Sequence, residues 1–227
     1  TAFSFGGCKK YLEAKPNQAL AVPTSVQDLQ ALLDAYFRVN NDPGSSEASA
    51  DNYYLTYADW SSLTEPYRGL YTWEKDHVFA NYPNDWSQIY NTVFITNVVL
   101  DNIDKIDKNI GNTTDWNNAK GSALLLRSKA FFQAADIWCG PYKAATAGAT
   151  PGIPLRTNED FNITSVRSSL KETYVEITRG LKEAATLLPV TPIHVMRPSR
   201  PAAYALLARA YMAMGLYDSC RVYADAC

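Results

Sequence analysis

Only two histidines occur in the 227 residues, and neither His77 nor His194 belongs to an H-E-x-x-H pair or stands beside a G-x-S-x-G elbow, so no zinc-peptidase or serine-hydrolase constellation is present. The four cysteines, Cys8, Cys139, Cys220 and Cys227, contain no C-x-x-C spacing, which argues against a zinc ribbon or a dithiol redox centre. If Cys220 and Cys227 share a helix they lie about 10 Å apart, past the disulfide reach of about 7 Å, and the cysteines are expected to be small core residues. Charge of one sign is scarce as well: 21 Lys and Arg face 23 Asp and Glu, for a net −2, and without a basic cluster nucleic acid is set aside as a partner. No apolar run reaches the roughly 18 residues of a membrane-spanning helix, so attachment to a membrane would need an anchor. The series Asp101, Asp104 and Asp107 has Ile106 where a calcium loop turns on glycine, and a solvated helix end is expected there instead of a metal. No catalytic residue, cofactor or metal is assigned. A glycosidase carboxylate pair, which needs no local motif, is the one enzymatic arrangement that spacing does not address.

Apolar and aromatic surface is what the chain has in quantity. With 47% hydrophobic and 12% aromatic residues it has enough for a sizeable core. The organising stretch is Ala119 to Tyr142. At 3.6 residues per turn, Ser122, Lys129, Gln133 and Asp136 form a narrow polar stripe, while Ala123, Leu124, Ala130, Phe131, Ala134 and Trp138 cover the opposite side. Such a helix belongs in the middle of a bundle, and its alanines let a neighbouring helix approach closely. Arg127 falls on the apolar side, so its guanidinium is expected to be a buried structural tie.

Upstream, Pro16 to Pro23 reads as an extended linker, and Thr24 or Ser25 caps a helix with Val26, Leu29, Leu32, Leu33, Tyr36 and Phe37 as its apolar face. From Asn40 to Asn84 no helical or strand period is legible. Tyr53, Tyr54, Tyr57, Trp60, Tyr67, Tyr71, Trp73, Phe79 and Tyr82 nevertheless crowd this region, a density that argues against disorder. Asn84-Asp85 caps a helix to about Ile106, with Trp86, Ile89, Tyr90, Val93, Phe94, Val98 and Ile103 as its buried set. Gly111-Asn112 turns the chain, and Thr114 caps the organising helix as the second arm of an antiparallel pair.

Tyr142 to Arg167 reads as loop. Ser169-x-x-Glu172 is a capping box that opens a helix to Leu188, and Ser199 precedes a helix from Arg200 to Met214 that Gly215 closes before another begins at Leu216. Tyr204-x2-Leu207-Ala208-x2-Tyr211, followed by Gly215, Tyr217, Cys220 and Ala224, follows the tetratricopeptide pattern with Tyr for Trp and Ala for Gly. The expected fold is therefore all-α: a helical bundle with tetratricopeptide-like helix pairs and long irregular loops.

Several short motifs stand in a fixed order along the chain. They are Cys8 with Tyr11-Leu12 and Pro16 behind it; Trp86, Tyr90 and Asn97 on one helix; Lys120-Gly121-x-Ala123-x3-Arg127-x3-Phe131-Phe132; Gly152-Ile153-Pro154-Leu155; Ala184-Ala185-x2-Leu188-Pro189; and Ala203-x-Ala205-Leu206-Leu207-Ala208-Arg209-x-Tyr211. In that order they resemble the N-terminal part of the SusD/RagB family of surface-exposed, nutrient-binding outer-membrane lipoproteins. The resemblance implies a lipid on Cys8, which follows small residues as in the tail of a lipoprotein signal, and a TonB-dependent (SusC-like) transporter as partner. It also implies capture of oligosaccharides, or in some members peptides, for import. Residues 1–24 are then the lipoprotein N-terminus and linker, and 25–227 the N-terminal helical domain of a longer chain.

A sugar site needs flat apolar faces for the ring C–H surfaces and planar polar groups for the hydroxyls, and the stretch Asp51 to Trp86 has both. Tyr54, Trp60, Tyr71 and Trp73 are the expected stacking platform, with Asp51, Asn52, Arg68 and Asn81 as hydrogen-bonding neighbours. The alternative for the same aromatics is that they pin a long loop to the bundle. Trp86, on the buried face of a helix, is assigned to the core. The competing function is a tetratricopeptide-like scaffold that binds a peptide or protein partner in a groove between helices.

Overall fold

The computed structural model describes residues 23–76, 78–79 and 83–227, so Cys8, His77 and Asn81 lie outside the described residues. The first helix, α1 (Val26–Asp34), starts from a reciprocal cap: Ser25 Oγ accepts the Asp28 amide, and the Asp28 carboxylate accepts those of Thr24 and Ser25. Ala35 leaves the helical path, and the next turn is a separate short helix, α2 (Tyr36–Val39). This break corrects the continuous apolar face expected through Phe37, because the face ends at Leu33 and Phe37 is 89% exposed. Three short helices follow, α3 (Ser45–Ala48), α4 (Tyr57–Ser62) and α5 (Glu65–Tyr71).

The long pair comes next. Asn84 and Ser87 form the capping box of α6 (Asp85–Ile103), and α7 (Thr113–Trp138) begins one residue before the expected cap Thr114, with Asn112 at its N-cap. Within the stretch read as loop lies a small antiparallel hairpin of β1 (Pro151–Pro154) and β2 (Arg167–Ser169), with Pro151 opposite Ser169 and Pro154 opposite Arg167. The Ser169–Glu172 box then opens α8 (Leu170–Leu187), and α9 (Arg200–Ala213) and α10 (Tyr217–Asp225) complete the order. Gly215, at φ 72°, makes the left-handed turn between the last two.

The core is built around α7, which is buried without interruption from Gly121 to Ser128 and packs between α6 and α8. Ala123, Ala130 and Ala134 are all at most 2% exposed, as close helix packing requires. On the α8 side Gly180 lies so near Ser128 Oγ that a Cβ there would collide with it. The tetratricopeptide-like pair α9–α10 closes on Tyr223, whose ring lies 5.5 Å from Tyr211 and 6.0 Å from Tyr204. Tyr217, counted in the repeat pattern, is instead 72% exposed. The three described cysteines are not core residues: Cys139 and Cys220 are half-buried, and Cys227, just past the end of α10, is exposed with its thiol 3.3 Å from the Pro201 carbonyl oxygen. Asp104, at the end of α6, pairs with Lys120 at 2.8 Å.

Arg127 sits at the centre, 5% exposed. Its guanidinium donates to Asn97 Oδ1 at 2.9 Å and to the Thr157 carbonyl at 3.4 Å, and pairs with Glu176 of α8 at 3.4 Å. Asn97 in turn donates to the carbonyls of Arg156 and Asn158, each at 2.9 Å, while Asp101 accepts the Glu159 amide at 2.7 Å. Burial lowers the Arg127 pKa from its ordinary value and Glu176 opposes that shift; an arginine stays charged regardless. One cation therefore joins α6, α7, α8 and the loop over 156–159.

Truncating Arg127 to Ala is expected to cost about 3 kcal/mol of stability in urea denaturation, because it strands buried polar partners while leaving Glu176 its second partner Arg179. Ligand affinity of the folded variant should be retained; a variant of unchanged stability with abolished binding would reverse the role given to Arg127. Acid should also unfold the protein. Asp28 is held below the ordinary carboxylate value by the Ser25 hydroxyl, and Glu172 by the Ser169 amide; at Asp42 partial burial acts upward, but bonds from Lys129 and Gln133 outweigh it. Since these groups bind fewer protons folded than unfolded, their contribution is complete above the ordinary carboxylate range of about 4 and is lost as pH falls through their lowered folded values. Melting temperatures measured across pH 3 to 7 should be flat at the upper end and fall at the lower, after about pH 4.

Candidate functional site

The aromatic segment leaves the bundle after α2 and rejoins it at α6, and its start is clamped to both α7 and α6. Lys129 of α7 reaches Asp42 at 2.6 Å and Asn40 at 2.7 Å, and Gln133 donates to Asp42 at 2.8 Å. The polar stripe of α7 thus grips the start of the segment. A few residues on, the Ser45 amide donates to the Asp85 carboxylate at 2.9 Å, which fastens α3 to the first turn of α6.

Within the segment, rings are held largely by backbone carbonyls. The Tyr53 hydroxyl donates to the Ala48 carbonyl at 2.7 Å, the Trp60 indole to that of Arg68 at 3.4 Å, the Arg68 guanidinium to that of Leu63 at 2.6 Å, and the Trp73 indole to that of Ser49 at 2.8 Å. Tyr71 works the other way, its hydroxyl accepting the Leu55 amide at 2.9 Å. Ring contacts link Tyr53 to Tyr71 and Tyr57 to Trp60, and Arg68 stacks 5.9 Å over the Trp60 ring.

The residues expected to form the site therefore separate into two kinds. Tyr54 and Trp73 are 85% and 67% exposed, and Asp51 and Asn52 are exposed close to Tyr54 in sequence. Trp60, Tyr71 and Arg68 are half-buried and occupied with internal bonds. Trp73 is the only non-glycine described residue with positive φ, at 55°, a conformation costly for a bulky side chain.

Trp86 departs from its assignment to the core. It is 36% exposed, and its ring lies 4.7 Å from Tyr90 and edge-on to Trp138 at 4.9 Å, with Phe79 a further 5.7 Å from Trp138. Placed in the first turn of α6, it joins a second aromatic group at the C-terminal end of α7. Phe94, also expected in the core, is 36% exposed and stacks on Phe161 from the 155–166 loop.

A cavity of about 400 Å³ lies between the aromatic segment and the end of α7, lined among the described residues by Ser45, Ser46, Ser49, Leu70, Phe79, Asp136 and Ile137. Ser45 is 5% exposed, and its Oγ has no hydrogen-bond partner among the described residues. Sequence reading missed these serines, since no periodicity joins them to Asp136; only the place of Asp136 on the polar stripe marked one wall. A larger cleft, about 800 Å³, lies elsewhere, between α1, α7, α9 and the turn before α9. Its walls include Leu33, Tyr36, Leu125, Ile193, Met196 and Leu206, and none of the expected site residues.

This arrangement of helices has relatives. The chain belongs to the SusD-like family, described as "Starch-binding associating with outer membrane", whose pattern matches residues 10–212. No curated protein matches in a sequence search. Among solved structures, a SusD superfamily protein from Bacteroides vulgatus is 20% identical, with a TM-score of 0.73 over 90% of this chain and 46% of its own. A SusD-like carbohydrate binding protein from the same organism is also 20% identical, with a TM-score of 0.66 over 90% of this chain and 44% of its own. A laminarin binding SusD-like protein is 17% identical, with a TM-score of 0.64 over 87% of this chain and 42% of its own. These likenesses show the helical fold, and the chain spans less than half the length of each of these solved proteins. No helix among the described residues is long and apolar enough to cross a membrane.

Replacing Tyr71 with Phe keeps its ring but removes the acceptor for the Leu55 amide, and is expected to cost about 1 kcal/mol in thermal or urea denaturation.

Proposed function

We propose that the protein captures oligosaccharides at the bacterial surface and passes them to a TonB-dependent (SusC-like) outer-membrane transporter, held to the membrane by a lipid on Cys8. In this reading Tyr54, Trp60, Tyr71 and Trp73 form the platform for sugar rings, and Asp51, Asn52, Arg68 and Asn81 bind the hydroxyls around it. The exposed rings make the stacking contact, and the half-buried ones hold them in place. No bond is broken; the ligand is bound and released.

The observation that carries the proposal is Trp73. Its ring is mostly in solvent, yet its indole is fixed to the Ser49 carbonyl and its backbone is held in a conformation that bulky residues avoid. A large apolar face kept rigid and wet stacks on a sugar ring with little further ordering cost. The family description and the laminarin binding relative support a glycan as the ligand class. The transporter, the anchor and the complete binding surface are properties of the whole protein.

A second reading is favoured by the larger cleft. Its apolar walls between α1, α7 and α9 suit side chains of a peptide or protein partner, as in a tetratricopeptide scaffold. Retention on polysaccharide gels, set against capture from a peptide library, separates the two.

Replacing Trp73 with Ala should weaken polysaccharide binding about tenfold or more, read by intrinsic fluorescence or gel retention, with little change in melting temperature. Unchanged binding together with a large loss of stability would assign the ring to structure.

A further inference from the structure

We infer that the cavity beneath the aromatic segment is a pocket for a single sugar ring, which takes the end of a glycan whose body lies on the platform outside. The inference rests on the glycan-binding reading for its ligand class and adds a separate subsite of different residues.

Three features support a ring. The first is size: about 400 Å³ is at the low end of the roughly 300–1,000 Å³ of small-molecule sites and far above the roughly 30 Å³ share of one water, which is room for a sugar ring. The second is the two-sided lining. Ser45, Ser46, Ser49 and Asp136 are the polar residues of the wall, the Ser49 hydroxyl already donating to the Ser45 carbonyl at 2.9 Å, while Leu70, Phe79 and Ile137 are apolar, a division that matches the hydroxyl edge and C–H face of a pyranose. The third is an unmet need. A buried hydroxyl without a partner is uncommon and costly, and Ser45, a residue of this wall, carries one: its Oγ has no hydrogen-bond partner among the described residues. A ring hydroxyl can both donate to it and accept from it. Asp136 has no ion-pair partner among the described residues, so its carboxylate is open to two adjacent hydroxyls of the same ring.

Position joins the pocket to the platform. Ser49 is a residue of the cavity wall, and its carbonyl holds the exposed Trp73. A glycan stacked on Trp73 can therefore turn its last ring inward, and one with a blocked or branched end loses that contact.

The test is saturation-transfer NMR on the purified protein with D-glucose, D-galactose, D-mannose and D-xylose as separate probes, run beside retention on polysaccharide gels. At least one monosaccharide should receive transfer from the unaltered protein, and its binding should weaken about tenfold in Ser45→Ala and in Asp136→Asn. Ser45→Ala removes only an unpaired hydroxyl, so its melting temperature should hold. Absence of transfer from the unaltered protein for all four sugars would overturn the inference, as would equal transfer from both variants, the cavity then holding water only. The gel reads the platform separately: retention without monosaccharide transfer keeps the platform and removes the pocket, and the converse keeps the pocket and removes the platform.

Discussion

A guanidinium placed on the apolar side of a central helix must find partners wherever it points, and Arg127 finds them in three directions. Asn97 on α6, Glu176 on α8 and the carbonyl of Thr157 converge on one side chain from α7. Because an uncompensated buried charge is so unfavourable, these elements are held to one mutual arrangement, and a shift of either neighbouring helix would take a partner from the cation. The apolar contacts of α7 supply most of the stabilisation. What the cation adds is registry, since apolar surfaces alone permit sliding and this cluster does not.

Registry in the bundle becomes position at the surface through the other side of the same helix. Along the polar stripe of α7, Lys129 holds Asn40 and Asp42, Gln133 holds Asp42 again, and Asp136 one turn later faces the cavity. The helix thus acts as a rigid bar whose buried side sets the fold and whose narrow polar side sets where the aromatic segment sits. The Asp85 carboxylate, in the first turn of α6, fixes α3 from the second direction. A long excursion with three short helices needs such clamps, because it has too little apolar surface of its own to fix its place.

What was legible in the sequence was what is decided locally. The Ser169–Glu172 and Asn84 caps and the apolar periods of α6, α7 and α8 depend on residues a few positions apart, and each element lies where those signals put it. Strands of four and three residues are too short to show a period, so the hairpin went unread. The break at Ala35 carries no glycine or proline, and a wheel drawn through it turned Phe37 inward when it points out. Trp86 shows the same limit: the wheel gives the direction of a side chain, while burial depends on what stands opposite. At the site, aromatic density was legible, but which ring stays in solvent follows from bonds across long separations, such as Trp73 to Ser49. The cavity had no signature, because its walls meet only after folding.

The mounting of the aromatic segment relies on acceptors that mutation cannot delete. Tyr53, Trp60, Arg68 and Trp73 hang on the main-chain oxygens of Ala48, Arg68, Leu63 and Ser49, atoms present whatever side chain stands there. Surface chemistry and support are thereby encoded separately. Tyr54, Asp51 and Asn52 can be exchanged for other groups without disturbing these oxygens, so the exposed surface is free to diverge among descendants while the frame beneath it is inherited intact.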